Sequence, residues 1–378
     1  MRAEIEKIFE VHKSVVFSTR REMYDKMTEY ASTPGKVVLF DSLVPIVAKS
    51  NVAGEFTKVK ARFVVADTVA KGRLADVYAP SVQQDTVRKQ VNLELHLDGF
   101  TIVVDAANAY HHGKPCDPRS PNGRFINARL PKGFELLDLD HTRFASGMRT
   151  VLGIPGNVPG LQNAGVVWGE DFGMFLAEEG FTASVVDRRL YYRKSADGVL
   201  TLMCVYVDDN RVVSTDLEVR DKFVAAFGKR YPNSIAEGAL EASVANDFSG
   251  AHYEKSGTGK DAKIEVSCSR LMAKLQAMVE ELPSGEHLPE GTTFDSPMDK
   301  NALKVMHDSQ SSHTPLGDIR VLKAQRIGGL GGYIVLCCRP DGYLAYVALT
   351  QYLGYGLTQV VWDALLRWAG GLRTTRHP

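Results

Sequence analysis

The chain has no excess of charge of either sign: lysine plus arginine and aspartate plus glutamate each number 45 in 378 residues. A global positive field that would hold nucleic acid in bulk is therefore excluded, and any such binding must come from local patches. Cysteine is scarce, five in all (Cys116, Cys204, Cys268, Cys337, Cys338), and no Cys-x-x-Cys occurs. Cys204 and Cys337 lie in apolar runs, which fits a reduced intracellular protein without structural zinc. No apolar run approaches the ~20 residues of a membrane span, and no charged-then-apolar leader opens the chain. The expectation is a cytoplasmic protein with no membrane partner. The Gly-x-Gly within Ser256–Lys260 is too short for a phosphate loop and lacks a strand-to-helix setting. What remains is ordinary, with 44% hydrophobic and 24% charged residues in a chain long enough for two or three subdomains.

The stretch Val205-Tyr206-Val207-Asp208-Asp209-Asn210 stands out from this background. It joins the apolar run Leu200–Cys204 to the short run Arg211–Thr215, both of strand type, and reads as a β-hairpin with two carboxylates at its tip. An Asp-Asp-Asn tip suits turn geometry by itself. Adjacent carboxylates repel, however, and a hard divalent cation such as Mg²⁺, which takes one or two protein carboxylates and fills its shell with water and phosphate, would hold both ionised. That reading needs a third carboxylate at the end of another strand. Phe100-Thr101-Ile102-Val103-Val104-Asp105 supplies it.

Other segments carry weaker signals. Ile5, Ile8, Phe9 and His12 have the spacing of a short amphipathic helix, and Val37–Phe40 reads as a strand. Lys58, Lys60 and Arg62 would share one face of a strand, suited to a triphosphate or to protecting a solvated sheet edge. Ser81–Gln84 forms a capping box for a helix with Val87, Val91 and Leu95 inward, stopping near Gly99. Residues 111–133 are basic and loop-rich, and the adjacent His111 and His112 would point apart on a strand, which disfavours a metal role. Thr150–Pro159, rich in Gly and Pro, reads as a lid or insertion. From Gly160 the pattern turns helical, with Trp168, Phe172, Phe175 and Leu176 on one face and Gly180 as the stop. Val219–Phe227 reads as a further helix, 234–262 as poor in periodicity with a flexible loop, 280–299 as an acidic linker, and 313–378 as two or three helices bearing basic residues.

In combination these blocks resemble a family. A strand ending in Asp105, an aromatic at Tyr110 and a later Tyr-Val-Asp-Asp resemble the reverse transcriptases. Lys58–Ala66, Val77–Val82, Leu130–Glu135, Gly160–Ala164 with Trp168, and Cys338–Asp341 narrow the resemblance to the copia-type long-terminal-repeat retrotransposons, because they occur in that family's order. It implies an α+β right hand: N-terminal segment and fingers over 1–82, palm over 83–110, fingers over 111–158, palm over 159–265, and helical thumb with the start of the connection over 266–378. It further implies that Asp105, Asp208 and Asp209 are catalytic and bind two Mg²⁺ ions, with Mn²⁺ an acceptable substitute. Lys60, Arg62, Tyr110, Gln162 and Asn163 would contact the nucleotide, and Lys222 or Lys229 would protonate pyrophosphate. The implied partners are deoxynucleoside triphosphates and a primed RNA or DNA template, in the cytoplasm or within retroelement particles. Ala66 stands where the family carries a further basic residue, and Gln162-Asn163 where it carries Lys-Gln. Two rival expectations therefore stay open, a decayed or co-opted nucleic-acid-binding protein and a metal-dependent phosphohydrolase. No ribonuclease H, integrase or protease segment is recognisable.

Overall fold

Runs of β-branched residues become strands and apolar stripes become helices, giving a mixed α+β fold with small sheets. The computed structural model describes residues 6, 8–50, 56–67, 77–114, 117–120, 123–132, 150–232, 245–257, 259–283, 286–287, 296, 298–312, 314–354 and 357–374. Two units emerge, Met1–Gln83 with Val104–Glu237, and Gln84–Val103 with Gly238–Pro378. Among the described residues no helix is long and apolar enough to cross a membrane.

The strands of the first unit are β1 (Val16–Thr19), β2 (Val37–Phe40), β3 (Ser42–Leu43), β4 (Ile46–Ser50), β5 (Phe56–Ala61), β6 (Val64–Val65), β7 (Phe100–Asp105), β8 (Phe125–Ala128), β9 (Thr150–Gly153), β10 (Thr182–Ala183), β11 (Leu190–Lys194), β12 (Leu200–Tyr206) and β13 (Asp209–Ser214). Only Val104 and Asp105 of β7 belong to this unit. One sheet has the order β1-β9-β8-β2, with β2 and β8 parallel and the other pairs antiparallel. Phe40, Leu152, Ile154 and Val158 form its core with Phe63, Val65 and Leu161. Thr150–Pro159 thus contributes a strand and core residues and is no lid. Its glycines permit close backbone approach: a Cβ at Gly156 would stand 2.5 Å from Ser14 Cα, and one at Gly160 (φ +92°) 2.0 Å from the Val65 carbonyl oxygen. The N-terminal reading is corrected too. Ile8–Glu10 is helical, but β1 follows, and a separate helix Arg20–Glu29 starts at a Thr19/Glu22 capping box that sequence reading overlooked.

The second sheet runs β10-β11-β12-β13-β7. Residues 201–205 and 210–214 are buried without alternation, as expected of strands covered on both faces. The helix Ala164–Glu178 buries Trp168, Phe172, Phe175 and Leu176, as their spacing requires, and the helix Leu217–Arg230 buries Phe223 and Phe227. Their rings interlock, Trp168 stacking on Phe172 at 5.0 Å and Phe172 meeting Phe227 edge-on at 6.1 Å, with Tyr231 against both helices. Burying each such ring stabilises the fold by about 2 to 3 kcal/mol.

In the second unit, β14 (Ala245–Phe248), β15 (Ala251–Ser256) and β16 (Lys263–Ser267) form an antiparallel sheet where sequence reading saw little order. Ser256 ends β15, and Gly257, Gly259 and Lys260 lie in the connection to β16. The helices are Gln84–His96, Ser269–Glu280, Ala302–Ser312, Asp318–Cys337, Tyr343–Thr350 and Gln359–Thr374. The expected linker lies largely outside the described residues. Helix 318–337 continues unbroken through Gly328–Gly332 because ring systems fill the space: a Cβ at Gly331 would stand 2.5 Å from Trp368, and one at Gly332 2.3 Å from Tyr346.

Candidate active site

The β12–β13 hairpin has the tightest common form, with Tyr206 paired to Asp209 and only Val207 and Asp208 in the loop. Val207 adopts φ +60°, a position that hairpin loops normally give to glycine, asparagine or aspartate. A β-branched side chain there is strained by about 1 to 2 kcal/mol, and the surroundings must hold it. Four hydrogen bonds, three of them to the loop's own carbonyls, do so. The buried Trp168 indole donates from Nε1 to the Val207 carbonyl at 2.8 Å. The Ala106 amide donates to the Asp208 carbonyl at 2.9 Å. The fully buried Asn210 amide donates to the Asp208 carbonyl at 2.7 Å and to the Val104 carbonyl at 3.3 Å. These bonds tie the hairpin loop to the end of β7, and so bring Asp105 and Asp208 to one place. From its sequence setting alone Trp168 reads as core packing and Asn210 as a turn residue. The signal for Asn210 is its position inside an otherwise apolar buried strand.

Asp105 and Asp208 line one cleft of about 520 Å³, whose other walls include Lys60, Arg62, Tyr110 and His111. Lys60 lies on β5, opposite Val47 of β4, whereas Arg62 lies past the strand's end with its amide bound to the Pro45 carbonyl at 3.2 Å. The pair meets in the cleft although strand alternation does not extend to Arg62. Lys58 is exposed outside it. Tyr110 sits on a 3₁₀ turn, half-buried against the core of the first sheet. Burial, then the negative charge of Asp208, push its hydroxyl above the usual tyrosine range, while Arg62 pulls it down. Its ring is thus both a core neighbour and a cleft wall.

The two adjacent histidines lie at the end of a 3₁₀ turn, not on a strand, and both rings pack against His12, at 5.3 and 5.2 Å. His111 shares a hydrogen bond through Nδ1 with the Ser14 hydroxyl at 2.9 Å and stacks on His12 at 5.3 Å. His112 Nε2 contacts the Ala107 carbonyl at 3.1 Å, and its ring meets Tyr231 edge-on. Burial pushes His111 down to about 3, with His12 and His112 adding to the effect.

The other expected site residues lie elsewhere. Asp209 begins β13 opposite Tyr206 and does not line the cleft. Gln162 is bound through its amide and Nε2 to the Asp67 carboxylate, at 3.3 and 3.0 Å, and Asp67 also pairs with Arg124 at 3.0 Å. Asn163 caps the helix Ala164–Glu178 with no side-chain capping bond. Lys222 is exposed and paired with Glu218 at 2.8 Å, a bond that raises its amine above the usual lysine range and makes it a poorer acid. Several C-terminal cations are also paired: Arg320 and Lys323 with Glu286, Arg339 with Asp341, and Arg367 with Asp299.

Among the described residues no group of three or more His, Cys, Asp or Glu side chains is arranged to hold a metal ion. Two carboxylates facing one polar cleft still meet the need of Mg²⁺, which completes its shell with water and substrate phosphate. No protein-family model matches the chain, and no curated protein matches its sequence.

Two outcomes follow from this geometry. Val207→Gly removes the side-chain strain and should leave unfolding free energy in urea unchanged or up to about 1 kcal/mol higher; a loss above 1 kcal/mol would contradict the strained loop. His111 stays neutral when folded, while in the unfolded chain it takes a proton near pH 6.5. Its contribution is fully present above that pH and is lost as pH falls toward about 3. Urea stability measured between pH 7.5 and 4.5 should therefore decline more steeply in the wild type than in His111→Gln, and equal slopes would disprove this assignment.

Proposed function

We propose that the chain is a template-directed DNA polymerase of the reverse-transcriptase type, akin to those of copia-type retrotransposons. The observation that carries this reading is that Asp105 and Asp208, distant in sequence, line one cleft with Lys60, Arg62 and Tyr110. Phosphoryl transfer asks a protein chiefly for positioning and charge neutralisation, and this set of side chains suits both. Under this reading the sheet β10–β13 with β7 corresponds to a palm, the strands of residues 16–65 belong chiefly to fingers, and the helices of residues 269–374 to a thumb and the start of a connection.

Asp105 and Asp208 would hold divalent cations, Mg²⁺ or Mn²⁺, with Asp209 supporting them from the next position. Bound there, such ions lower the pKa of a primer 3′-hydroxyl and neutralise the triphosphate and departing pyrophosphate. Lys60 offers the triphosphate a point charge and Arg62 a planar fork for two parallel bonds. Tyr110 places a ring where a ribose 2′-hydroxyl would collide and a deoxyribose would not.

A second reading is a nucleic-acid-binding protein descended from such an enzyme. It is favoured by Gln162, which is engaged by Asp67. Primer extension on RNA and DNA templates separates the two. Asp105→Asn and Asp208→Asn should each reduce extension at least a thousandfold, about 4 kcal/mol of barrier, with unchanged far-ultraviolet dichroism, and Asp209→Asn should reduce it less. Wild-type extension by the Asp105 variant would refute the polymerase reading; primer-template binding with no extension by the wild type would select the second.

Tyr110→Ala tests the sugar contact separately. The variant should incorporate ribonucleotides far more readily relative to deoxyribonucleotides. A loss of roughly 3 to 5 kcal/mol in stability with unchanged sugar preference would instead assign Tyr110 to packing alone.

A further inference from the structure

We propose that Cys268 and Cys338 form a reversible thiol–disulfide switch within the second unit, closed by a small-molecule disulfide such as oxidised glutathione, with Cys337 as the proton acceptor. This proposal does not depend on the polymerase reading. Cys268 immediately precedes helix 269–280, Cys337 is the last residue of helix 318–337, and Cys338 is the cap that follows. The two helices pack together, and the start of one, with Cys268, meets the end of the other, with the adjacent Cys337 and Cys338. The Cys268 side chain lies close enough to those of both Cys337 and Cys338 to interact with each.

The three sulfurs are not equivalent. Cys268 and Cys337 are buried, whereas Cys338 is partly exposed and is the sulfur a reagent in solution meets first. Its two neighbours, with burial, push the Cys268 thiol far above the usual range, and the nearness of Cys268 in turn holds Cys337 and Cys338 below it against the opposing effect of burial. Arg339 adds to the effect at Cys338, and a Tyr333 hydrogen bond and the charge of Arg88 add to it at Cys337; Asp341 opposes it at Cys338. A low-pKa, accessible thiol beside a resolving thiol is the arrangement that thiol–disulfide exchange requires. Cys204 supplies the contrast. Burial pushes it up to about 12, and it has no such role.

The exchange balances in two steps. The Cys338 thiolate attacks one sulfur of oxidised glutathione, forming a mixed disulfide and expelling one glutathione thiolate. Cys268 passes its proton to the Cys337 sulfur and attacks the Cys338 sulfur, expelling the second glutathione thiolate. The protein gives up two electrons, the Cys268 proton stays on Cys337, and one oxidised glutathione leaves as two thiolates that take their protons from water. The product joins the start of one helix to the end of another.

The test is peptide mapping by mass spectrometry of the full native chain after incubation with oxidised glutathione, with unreacted thiols blocked. The wild type should show a Cys268–Cys338 bridge that dithiothreitol reverses, and its thermal midpoint should rise by about 5 °C. Cys268→Ser should accumulate a glutathione adduct at Cys338, Cys337→Ser should form the same bridge more slowly, and Cys338→Ser should form neither adduct nor bridge. Wild-type mapping decides the question even if a variant fails to fold. The proposal is overturned if a large excess of oxidised glutathione produces no bridge, if the bridge uses Cys116, Cys204 or a second chain, or if Cys337 and Cys338 join each other.

Discussion

The arrangement of the cleft depends on a backbone conformation that its own residue disfavours. Val207 holds φ +60° in a two-residue hairpin loop, and nothing in a valine side chain favours that state. It persists because the Trp168 indole, the Ala106 amide and the Asn210 side chain all bond to the carbonyls of Val207 and Asp208. Each bond is worth about 1 kcal/mol net, so together they outweigh the local strain. Because Ala106 adjoins Asp105, the same bonds set the position of one carboxylate relative to the other. Trp168 is itself fixed by Phe172 and Tyr231, which makes the aromatic contact between the two helices a support of the loop.

Electrostatics in the cleft follows from this placement. Asp105 and Asp208 are faced by Lys60 and Arg62, so opposed charges share a polar space and its net charge stays small. His111 contributes no charge under ordinary conditions because burial keeps it neutral. The balance of 45 basic and 45 acidic residues is also partly resolved locally, since several C-terminal cations face carboxylates within their own unit. What was expected to be a basic surface is in part a set of internal pairs.

The legible parts of the sequence were those with local periodicity. The stripe Trp168, Phe172, Phe175, Leu176 produced its helix, and the β-branched run ending at Asp105 its strand. The misread parts depend on distant partners. Gly156, in a stretch that reads as a lid, admits the backbone of Ser14, and Gly160 just beyond it that of Val65, which local composition cannot reveal. Gln162 is likewise engaged by a distant carboxylate, Asp67, which nothing nearby in the sequence identifies. The sheet of residues 245–267 escaped notice because its strands alternate weakly and remain partly exposed.

Helix 318–337 illustrates how an absence of atoms specifies structure. Trp368 and Tyr346 stand where side chains at Gly331 and Gly332 would be. Two helices that meet through interchangeable leucines can slide by one turn, about 5.4 Å, and recover much of the same contact. Here a slide would drive an indole and a phenol into ordinary side chains, so consecutive glycines act as a two-notch key that encodes both the rotation and the height of the helix.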